Sequence, residues 1–134
     1  MPGEIPFRRS SVIYALKLRN LKVLYDNYIQ WLTVYEVINA LWREVALIKA
    51  ISTQEASEIV KLLMETLDFM KMLSPHPFED EILSTASELG ITAYDASYIV
   101  LAEKNGLTLV TKDKRLRTKA DKLVKAVSLA QIIS

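Results

Sequence analysis

The spacing of apolar residues predicts two long amphipathic helices in the first half of the chain. Behind Thr33, the predicted N-cap of the first, apolar residues recur at the i, i+3, i+4 and i+7 spacing of one helix face. This stripe consists of Val34, Val37, Ile38, Leu41, Trp42 and Val45. The second helix is predicted to begin at Ser52 or Thr53. Its apolar face consists of Ile59, Leu62, Leu63, Leu67 and Met70.

Shorter segments with the composition of strands lie between the predicted helices. We predict strands at residues 5–7, 28–32, 70–73 and 124–129, a helix capped by Ser10 or Ser11, and a helix from Phe78 to Leu89 that Gly90 ends. No hairpin turn joins two strands directly, so the alternation predicts a parallel sheet with helices on both faces. The predicted fold class is α/β, a three-layer sandwich with a central, mostly parallel sheet. We expect one domain spanning residues 1–134.

The segment from Gly90 to Asp113 has a different pattern. Between residues 88 and 103 the only charged side chain is Asp95, at the start of a run that is apolar on nearly every side. Such a run predicts a buried helix, which Asn105-Gly106 ends. A short buried strand follows at 107–110, and Asp113 comes just past its end. A carboxylate at the mouth of a buried helix and another at the exit of a buried strand predict an acidic site.

Charge and composition exclude several classes of protein. The chain has no cysteine, which excludes disulfides, thiolate metal sites and a cysteine nucleophile. Its net charge of +1 gives no overall attraction to nucleic acids, so such binding needs a local basic patch. The sequence shows no Gly-rich phosphate loop, no membrane-spanning apolar run and no signal-peptide pattern. We therefore expect a cytoplasmic protein without a membrane segment.

Each candidate acid also has a purely structural interpretation. Glu36 stands three residues after Thr33, and Asp95 stands three after Thr92, which is the spacing of a capping box. Asp113 is placed to act as an ordinary helix N-cap or turn residue. Asp95 is the hardest of the three to explain in this way, because a charge among apolar neighbours needs a partner.

Taken together, these segments resemble the PIN domain, and more narrowly the VapC-type toxins. The resemblance is carried by Ser-Ser-Val-Ile after the first predicted strand, Thr-Val-Tyr-Glu opening the amphipathic helix, Tyr-Asp-Ala opening the buried helix, and Leu-Val-Thr-Lys-Asp leaving a strand. Glu36, Asp95 and Asp113 fall on three of the four acidic positions of the family. Thr111 matches the hydroxyl that often accompanies the last of them.

The resemblance implies an activity, a cofactor and partners. The activity is metal-dependent endonucleolytic cleavage of single-stranded RNA, with Mg²⁺ or Mn²⁺ held by carboxylates and water. Asp95 and Asp113 would be metal ligands, Glu36 a ligand or a water-orienting acid, and Thr111 a supporting residue. The implied partners are a VapB-type antitoxin, whose C-terminal segment would cover the acidic cleft, and a second copy of the chain in a homodimer.

Position 9 departs from the family pattern. Where the family has an Asp at the end of the first strand, this chain has Arg9, preceded by Arg8. An arginine about 4 Å from a carboxylate would attract it with an interaction energy on the order of 4 kcal/mol at a surface-like dielectric. It would therefore compete with the metal for that carboxylate. If Arg9 instead turns outward, the three remaining acids would hold an ion weakly. The alternative function is a non-catalytic PIN-fold module that binds RNA or a partner protein. A third interpretation is an unrelated α/β protein whose acids only cap helices.

Basic residues are concentrated after Asp113. Seven of the fourteen residues from 112 to 125 are Lys or Arg. As candidates for nucleic-acid binding we single out Lys112, Lys114, Arg115 and Arg117, which would contact phosphates beside the acidic site. The alternative is a solvated surface helix that balances the acids of residues 79–81. His76, the only histidine, is expected to be a loop residue.

Overall fold

The computed structural model describes residues 9–133, with side chains described for residues 11–132. The helices are α1 (Arg9–Lys17), α2 (Trp31–Ala46), α3 (Thr53–Leu67), α4 (Glu79–Leu89), α5 (Ala93–Asn105), α6 (Lys114–Ala120) and α7 (Leu129–Ile133), with a 3₁₀ turn at Leu21–Val23. The strands are β1 (Tyr28–Gln30), β2 (Lys71–Leu73), β3 (Leu109–Val110) and β4 (Ala126–Val127). The predicted strand at 5–7 lies outside the described residues. None of the described helices has the length and apolar character that a membrane span requires.

The strands form two parallel pairs. β1 pairs with β2, with Ile29 opposite Met72, and β3 pairs with β4, with Leu109 opposite Ala126. Helices connect the members of each pair, α2 and α3 in the first and α6 in the second. The predicted α/β class with parallel strands is therefore confirmed. The predicted strands at 28–32 and 124–129 are shorter than expected.

The predicted buried helix is confirmed as α5. Its seven consecutive residues from 96 to 102 are all buried, exposing between 0% and 6% of their surface. The helix ends where predicted, because Gly106 takes the left-handed conformation at φ 63° and Asn105 donates its side-chain N–H to the Leu101 carbonyl. A helix covered on every side requires packing layers around it, and the remaining elements supply them.

Strand β3 separates two parts of the core. Leu109 packs with α5 and α6, beside Ile99 and Leu116, whereas Val110 packs with the cluster of α1, α2 and α3. Neighbouring residues of a strand point to opposite faces. β3 is therefore buried between two helical layers, which is the arrangement expected of the middle layer of a sandwich.

Three predictions about helix α2 and its neighbour are wrong. Helix α2 begins at Trp31 with Gln30 as N-cap, so Thr33 lies inside the first turn and does not cap it. Helix α1 begins at Arg9, so Ser10 and Ser11 lie within the helix. The predicted apolar stripe of α2 is also too wide, because Trp42 is exposed. The helix packs on α1 and α3, and these contacts leave Trp42 and Ile38 of the predicted stripe exposed.

Candidate active site

Asp95 and Asp113 line the same cavity, which has a volume of about 290 Å³. The cavity lies where the N-terminus of α5 meets the N-terminus of α6. It is lined by Gly90, Ile91, Thr92, Asp95, Asp113, Arg115, Leu116 and Lys119. The mouth of the buried helix and the exit of strand β3 thus bring two carboxylates to one place.

Asp95 reaches this cavity from the first turn of α5. Its backbone N–H donates to Thr92 Oγ1 at 3.1 Å, which makes Thr92 the N-cap. The cap uses the backbone of Asp95, while the half-buried carboxylate lines the cavity. The positive end of the helix dipole favours a negative charge at this position. Helix capping therefore accounts for Thr92 and for the backbone N–H of Asp95.

Asp113 is the N-cap of α6, as one of its two sequence interpretations predicted. Its Oδ1 accepts a hydrogen bond from the Leu116 N–H at 3.1 Å. Thr111 supports this turn, since its buried hydroxyl accepts from the Asp113 N–H at 3.1 Å. A carboxylate has two oxygens and about four lone-pair sites. The capping bond is therefore compatible with a second role for Asp113.

Glu36 lies beside this cavity rather than in it. It projects from the second turn of α2, and its Oε1 accepts a hydrogen bond from the Tyr98 hydroxyl at 2.7 Å. Tyr98 stands one helical turn after Asp95 on α5. Among the side chains that the structure describes, no three of His, Cys, Asp or Glu lie close enough to hold a metal ion.

The two cavity carboxylates fit a divalent cation of the hard, oxygen-preferring kind. Mg²⁺ is commonly held by one or two carboxylates and keeps several of its waters. Asp95 and Asp113 supply that number, whereas Glu36 does not line the cavity. The assignment of Glu36, Asp95 and Asp113 as metal ligands remains a prediction.

Basic side chains surround the acidic cavity on two sides. Arg115 and Lys119 line it directly, and Lys119 Nζ donates to the Leu89 carbonyl at 2.9 Å. A second cavity of about 170 Å³ is lined by Lys112 and Arg117. There Lys112 Nζ lies 4.5 Å from the centre of the Tyr14 ring. Lys112 and Lys114 stand directly before and after Asp113 in the chain, so positive charge flanks it.

The alternative interpretation of the basic segment was that it balances the acids of residues 79–81. Two of these acids have other partners. Glu79 contacts His76 Nδ1 at 2.6 Å, and this hydrogen bond is the main cause that lowers the pKa of Glu79. Glu81 pairs with Lys104 at 2.7 Å. Both acids therefore have partners outside the basic segment. His76 lies in the loop before α4, as expected.

Polar residues inside the core escaped the sequence-based predictions. Tyr98 exposes only 1% of its surface and links Glu36 to Thr33, while Gln30 donates to Ser97 at 2.9 Å. One signal was available, because a tyrosine within a buried run needs a partner for its hydroxyl. The sequence-based predictions considered the charged residue of the buried helix and assigned no partners to its polar residues.

Substitutions at Asp113 separate its two roles. We expect Asp113→Ala to lower the free energy of unfolding by about 1 kcal/mol, because the cap of α6 is lost. Asp113→Asn keeps an oxygen acceptor, so the loss should stay within about 0.5 kcal/mol. Urea unfolding in the presence of EDTA measures both values. Equal destabilisation by the two variants would mean that the charge, and not the capping oxygen, stabilises α6.

Comparison with known proteins places the chain in a family. The PIN domain family profile matches residues 8–122. The chain is 39% identical over 118 residues to Exonuclease VapC9 of Pyrobaculum aerophilum, covering 82% of this chain and 81% of that protein. It is 40% identical over 97 residues to Ribonuclease VapC3 of the same organism, covering 69% and 70% respectively.

Solved structures agree with this placement. The crystal structure of PAE2754 from Pyrobaculum aerophilum superposes with a TM-score of 0.79 at 32% identity, covering 96% of this chain and 92% of that one. VapBC2 from Rickettsia felis, solved bound to a DNA fragment, has a TM-score of 0.62 at 14% identity, covers 92% and 97%, and shows a shared fold alone. The chain therefore belongs to the PIN domain family, and within it to the VapC-like proteins.

Proposed function

We propose that this chain is a metal-dependent endoribonuclease that cleaves single-stranded RNA as the toxin of a toxin–antitoxin pair. One observation carries the proposal: Asp95 and Asp113, from separate elements, line one cavity with basic residues beside it. The relatives support it, since one is named an exonuclease and the other a ribonuclease. The first name specifies cleavage from an end of the chain and the second specifies the substrate. The proposal commits to internal cleavage, so the test must distinguish internal cleavage from cleavage at an end.

The roles of the site residues follow from their positions. Asp95 and Asp113 would hold Mg²⁺ or Mn²⁺, and Glu36 would add a ligand or orient the attacking water. Thr111 would keep Asp113 in place through the hydrogen bond to its backbone. The chemistry that a bound divalent ion supplies is activation of water and stabilisation of charge on the phosphate.

Arg9 is the residue that bears most on the level of activity. It is the first residue of α1 and occupies the position where the family pattern has an Asp. We propose that its permanent charge weakens metal binding, because a guanidinium and a divalent cation compete for the same carboxylates. The chain would then be a slow nuclease rather than an inactive one.

A cleavage assay with circular and linear single-stranded RNA tests this function. With Mn²⁺ we expect the chain to cut the circular RNA, which has no ends for an exonuclease. Asp95→Asn should slow cleavage by at least about 100-fold, because a neutral amide holds less well the divalent ion that would stabilise charge on the phosphate. Arg9→Asp should speed cleavage by about tenfold or more, because relief of only about 1.4 kcal/mol has that effect.

Each other result has a definite meaning. Cleavage that Asp95→Asn leaves unchanged would contradict the proposed site, and cleavage of linear RNA alone would indicate an exonuclease. Activity that appears only in Arg9→Asp would identify a disabled nuclease. RNA binding without cleavage by either protein would favour the alternative function, a non-catalytic module that binds RNA or a partner protein.

We assign RNA backbone contacts to Lys112, Lys114, Arg115 and Arg117. Lys112, Lys114 and Arg115 are exposed, and Arg117 is half-buried with one guanidinium nitrogen donating to the Thr111 carbonyl at 2.7 Å. That bond fixes the guanidinium beside Asp113, where a phosphate next to the cut would pass. A net charge of +1 leaves such a local patch as the source of attraction.

The salt dependence of RNA binding tests two of these four assignments, Lys112 and Arg117. Replacing both Lys112 and Arg117 by Ala should reduce the slope of log K against log salt by about 1.4, because each phosphate that is no longer neutralised accounts for about 0.7. Fluorescence anisotropy with a labelled single-stranded RNA in EDTA measures the slope. Lys61→Ala removes a positive charge from the exposed side of α3 and should leave the slope unchanged. If Lys61→Ala also reduced the slope, the salt dependence would follow the net charge of the protein and not contacts by Lys112 and Arg117.

The proposed partners are a VapB-type antitoxin and a second copy of the chain. The antitoxin is expected to cover the acidic cavity with its C-terminal segment, in line with the VapC names of the relatives. For the homodimer, α2 offers an exposed apolar surface, the α2 stripe, which consists of Trp31, Tyr35, Ile38 and Trp42. These residues lie on one flank of the helix and expose between 43% and 72% of their surfaces.

The extent of this α2 stripe suits contact between two copies. It runs about 16 Å along the helix. Three of its members are aromatic and expose 53% to 72% of their surfaces. Covering them would therefore bury somewhat more than half of the roughly 150–250 Å² that each such side chain buries in full, which makes the stripe the centre of an interface of about 800 Å² per partner. The four residues of the stripe are uncharged. When two copies meet across a two-fold axis, the facing stripes therefore bring no like charges together.

Light scattering after size exclusion tests the dimer. We expect the chain to be a dimer and Ile38→Lys to be a monomer, because a charge in the middle of the stripe would be buried without a partner. Leu83→Lys places the same charge at an exposed leucine on α4 and should leave the dimer intact. A dimer that survives Ile38→Lys would exclude the stripe as its interface. A monomeric unmodified chain would contradict the homodimer.

A further inference from the structure

The cavity that Asp95 and Asp113 line also holds a fixed positive charge. Lys119, in the last turn of α6, lines the same cavity with a half-buried side chain. Its Nζ donates to the Leu89 carbonyl at 2.9 Å and to the Gly90 carbonyl at 3.4 Å. Two carbonyl oxygens from neighbouring residues therefore hold the ammonium group in place.

The two carbonyls belong to the C-terminal end of α4. Leu89 is the last residue of the helix, and Gly90 is its C-cap in the left-handed conformation at φ 65°. The last carbonyls of a helix have no partner within it and lie at the negative end of the helix dipole. An ammonium group is favoured there, so Lys119 gives up the freedom that its flexible four-carbon stem would otherwise have.

This anchoring leaves both a charge and a donor for a ligand. An ammonium group has three N–H donors and no acceptor. Lys119 directs two of them to the carbonyls of residues 89 and 90, and the third stays available to an acceptor in the cavity. Both carbonyls are neutral groups, so they orient the ammonium without cancelling its charge.

Positive charge decides whether an anion can enter this cavity. The carboxylates of Asp95 and Asp113 would by themselves repel an anionic phosphate. Arg115 and Lys119 line the cavity with them, so the formal charges of these four side chains cancel. Arg115 is exposed, whereas Lys119 is half-buried and anchored. Lys119 is therefore the cation best placed to hold an anion at a defined point beside the acids.

We propose that Lys119 binds a phosphodiester group of single-stranded RNA inside the acidic cavity. This contact is additional to the four backbone contacts assigned above, among which the sequence pattern did not include Lys119. The inference rests on the proposed function for the identity of the ligand, and it requires no bound metal. The competing interpretation is that Lys119 only caps the C-terminal end of α4.

The salt dependence of RNA binding separates phosphate binding from capping. We expect Lys119→Gln to reduce the slope of log K against log salt by about 0.7, the value for one phosphate of a single strand that is no longer neutralised. The glutamine amide still carries N–H donors for the carbonyls, so the charge is the main loss. Lys119→Arg keeps the charge and should keep the slope within about 0.2 of the unmodified chain. Fluorescence anisotropy in EDTA measures each slope, with a labelled single-stranded RNA that has no terminal phosphate.

A neighbouring lysine provides a matched control. Lys122 lies in the turn after α6, is exposed and does not line the acidic cavity. Lys122→Gln makes the same change of charge three residues away and should leave the slope within about 0.2 of the unmodified chain. The urea unfolding midpoint of each variant shows separately how far the fold is weakened, which is the only change that a capping role predicts.

The remaining outcomes contradict the inference in distinguishable ways. If Lys119→Gln lowered the unfolding midpoint and kept the slope, Lys119 would be a cap of α4 alone. An equal loss of slope in Lys122→Gln, or a loss of slope in Lys119→Arg, would show that no phosphate is held by the charge at this position. In these cases the proposed nuclease would stand, because cleavage is measured separately with Mn²⁺. An unmodified chain that binds no RNA would overturn the proposed function and the inference together.

Discussion

The burial of α5 is the constraint on which the rest of the molecule depends. A helix with seven consecutive buried residues cannot form the edge of a protein, so elements must cover it on every side. Helices α4 and α6 and strand β3 pack against it from different directions. Charges are tolerable only at the ends of such a helix, and the chain carries Asp95 at one end and Glu103 and Lys104 at the other.

Capping and chemistry are combined at both acids of the cavity. Thr92 caps α5 through the backbone of Asp95, and Asp113 caps α6 with one of its own oxygens. Each cap fixes the first turn of a helix and thereby fixes the direction in which the carboxylate projects. The structural and functional interpretations of these acids are therefore compatible, because the bonds that stabilise the helices also orient the candidate ligands.

Helix α2 shows how one element serves several surfaces. One flank carries Val37 and Leu41 into the core, and another leaves the α2 stripe exposed. Its first two turns bring Thr33 and Glu36 to Tyr98, next to the acidic cavity. A partner that covers the stripe would contact the same helix that carries Glu36. The proposed partner surface and the candidate ligand Glu36 thus lie on one helix.

The sequence by itself determined the class of fold, the extent of the buried helix and the identity of two cavity acids. These features depend on local rules: a run of apolar residues whose one charge stands near its start must be covered, Gly106 ends a helix, and an acid at a strand exit lies at the edge of a sheet. The alternation of helices and strands was equally local, and the two parallel pairs confirmed it.

Only the tertiary structure decided which flank of α2 is covered and what holds Glu36. The helical pattern predicted that Trp42 and Val37 would both be buried, but only Val37 is. Periodicity shows which residues are apolar and does not show where a neighbouring layer lies. The bond between Tyr98 and Glu36 joins residues 62 positions apart, and no local signal encodes such a distance. Its formation depends on how two packed helices place their side chains, which is a property of the whole core.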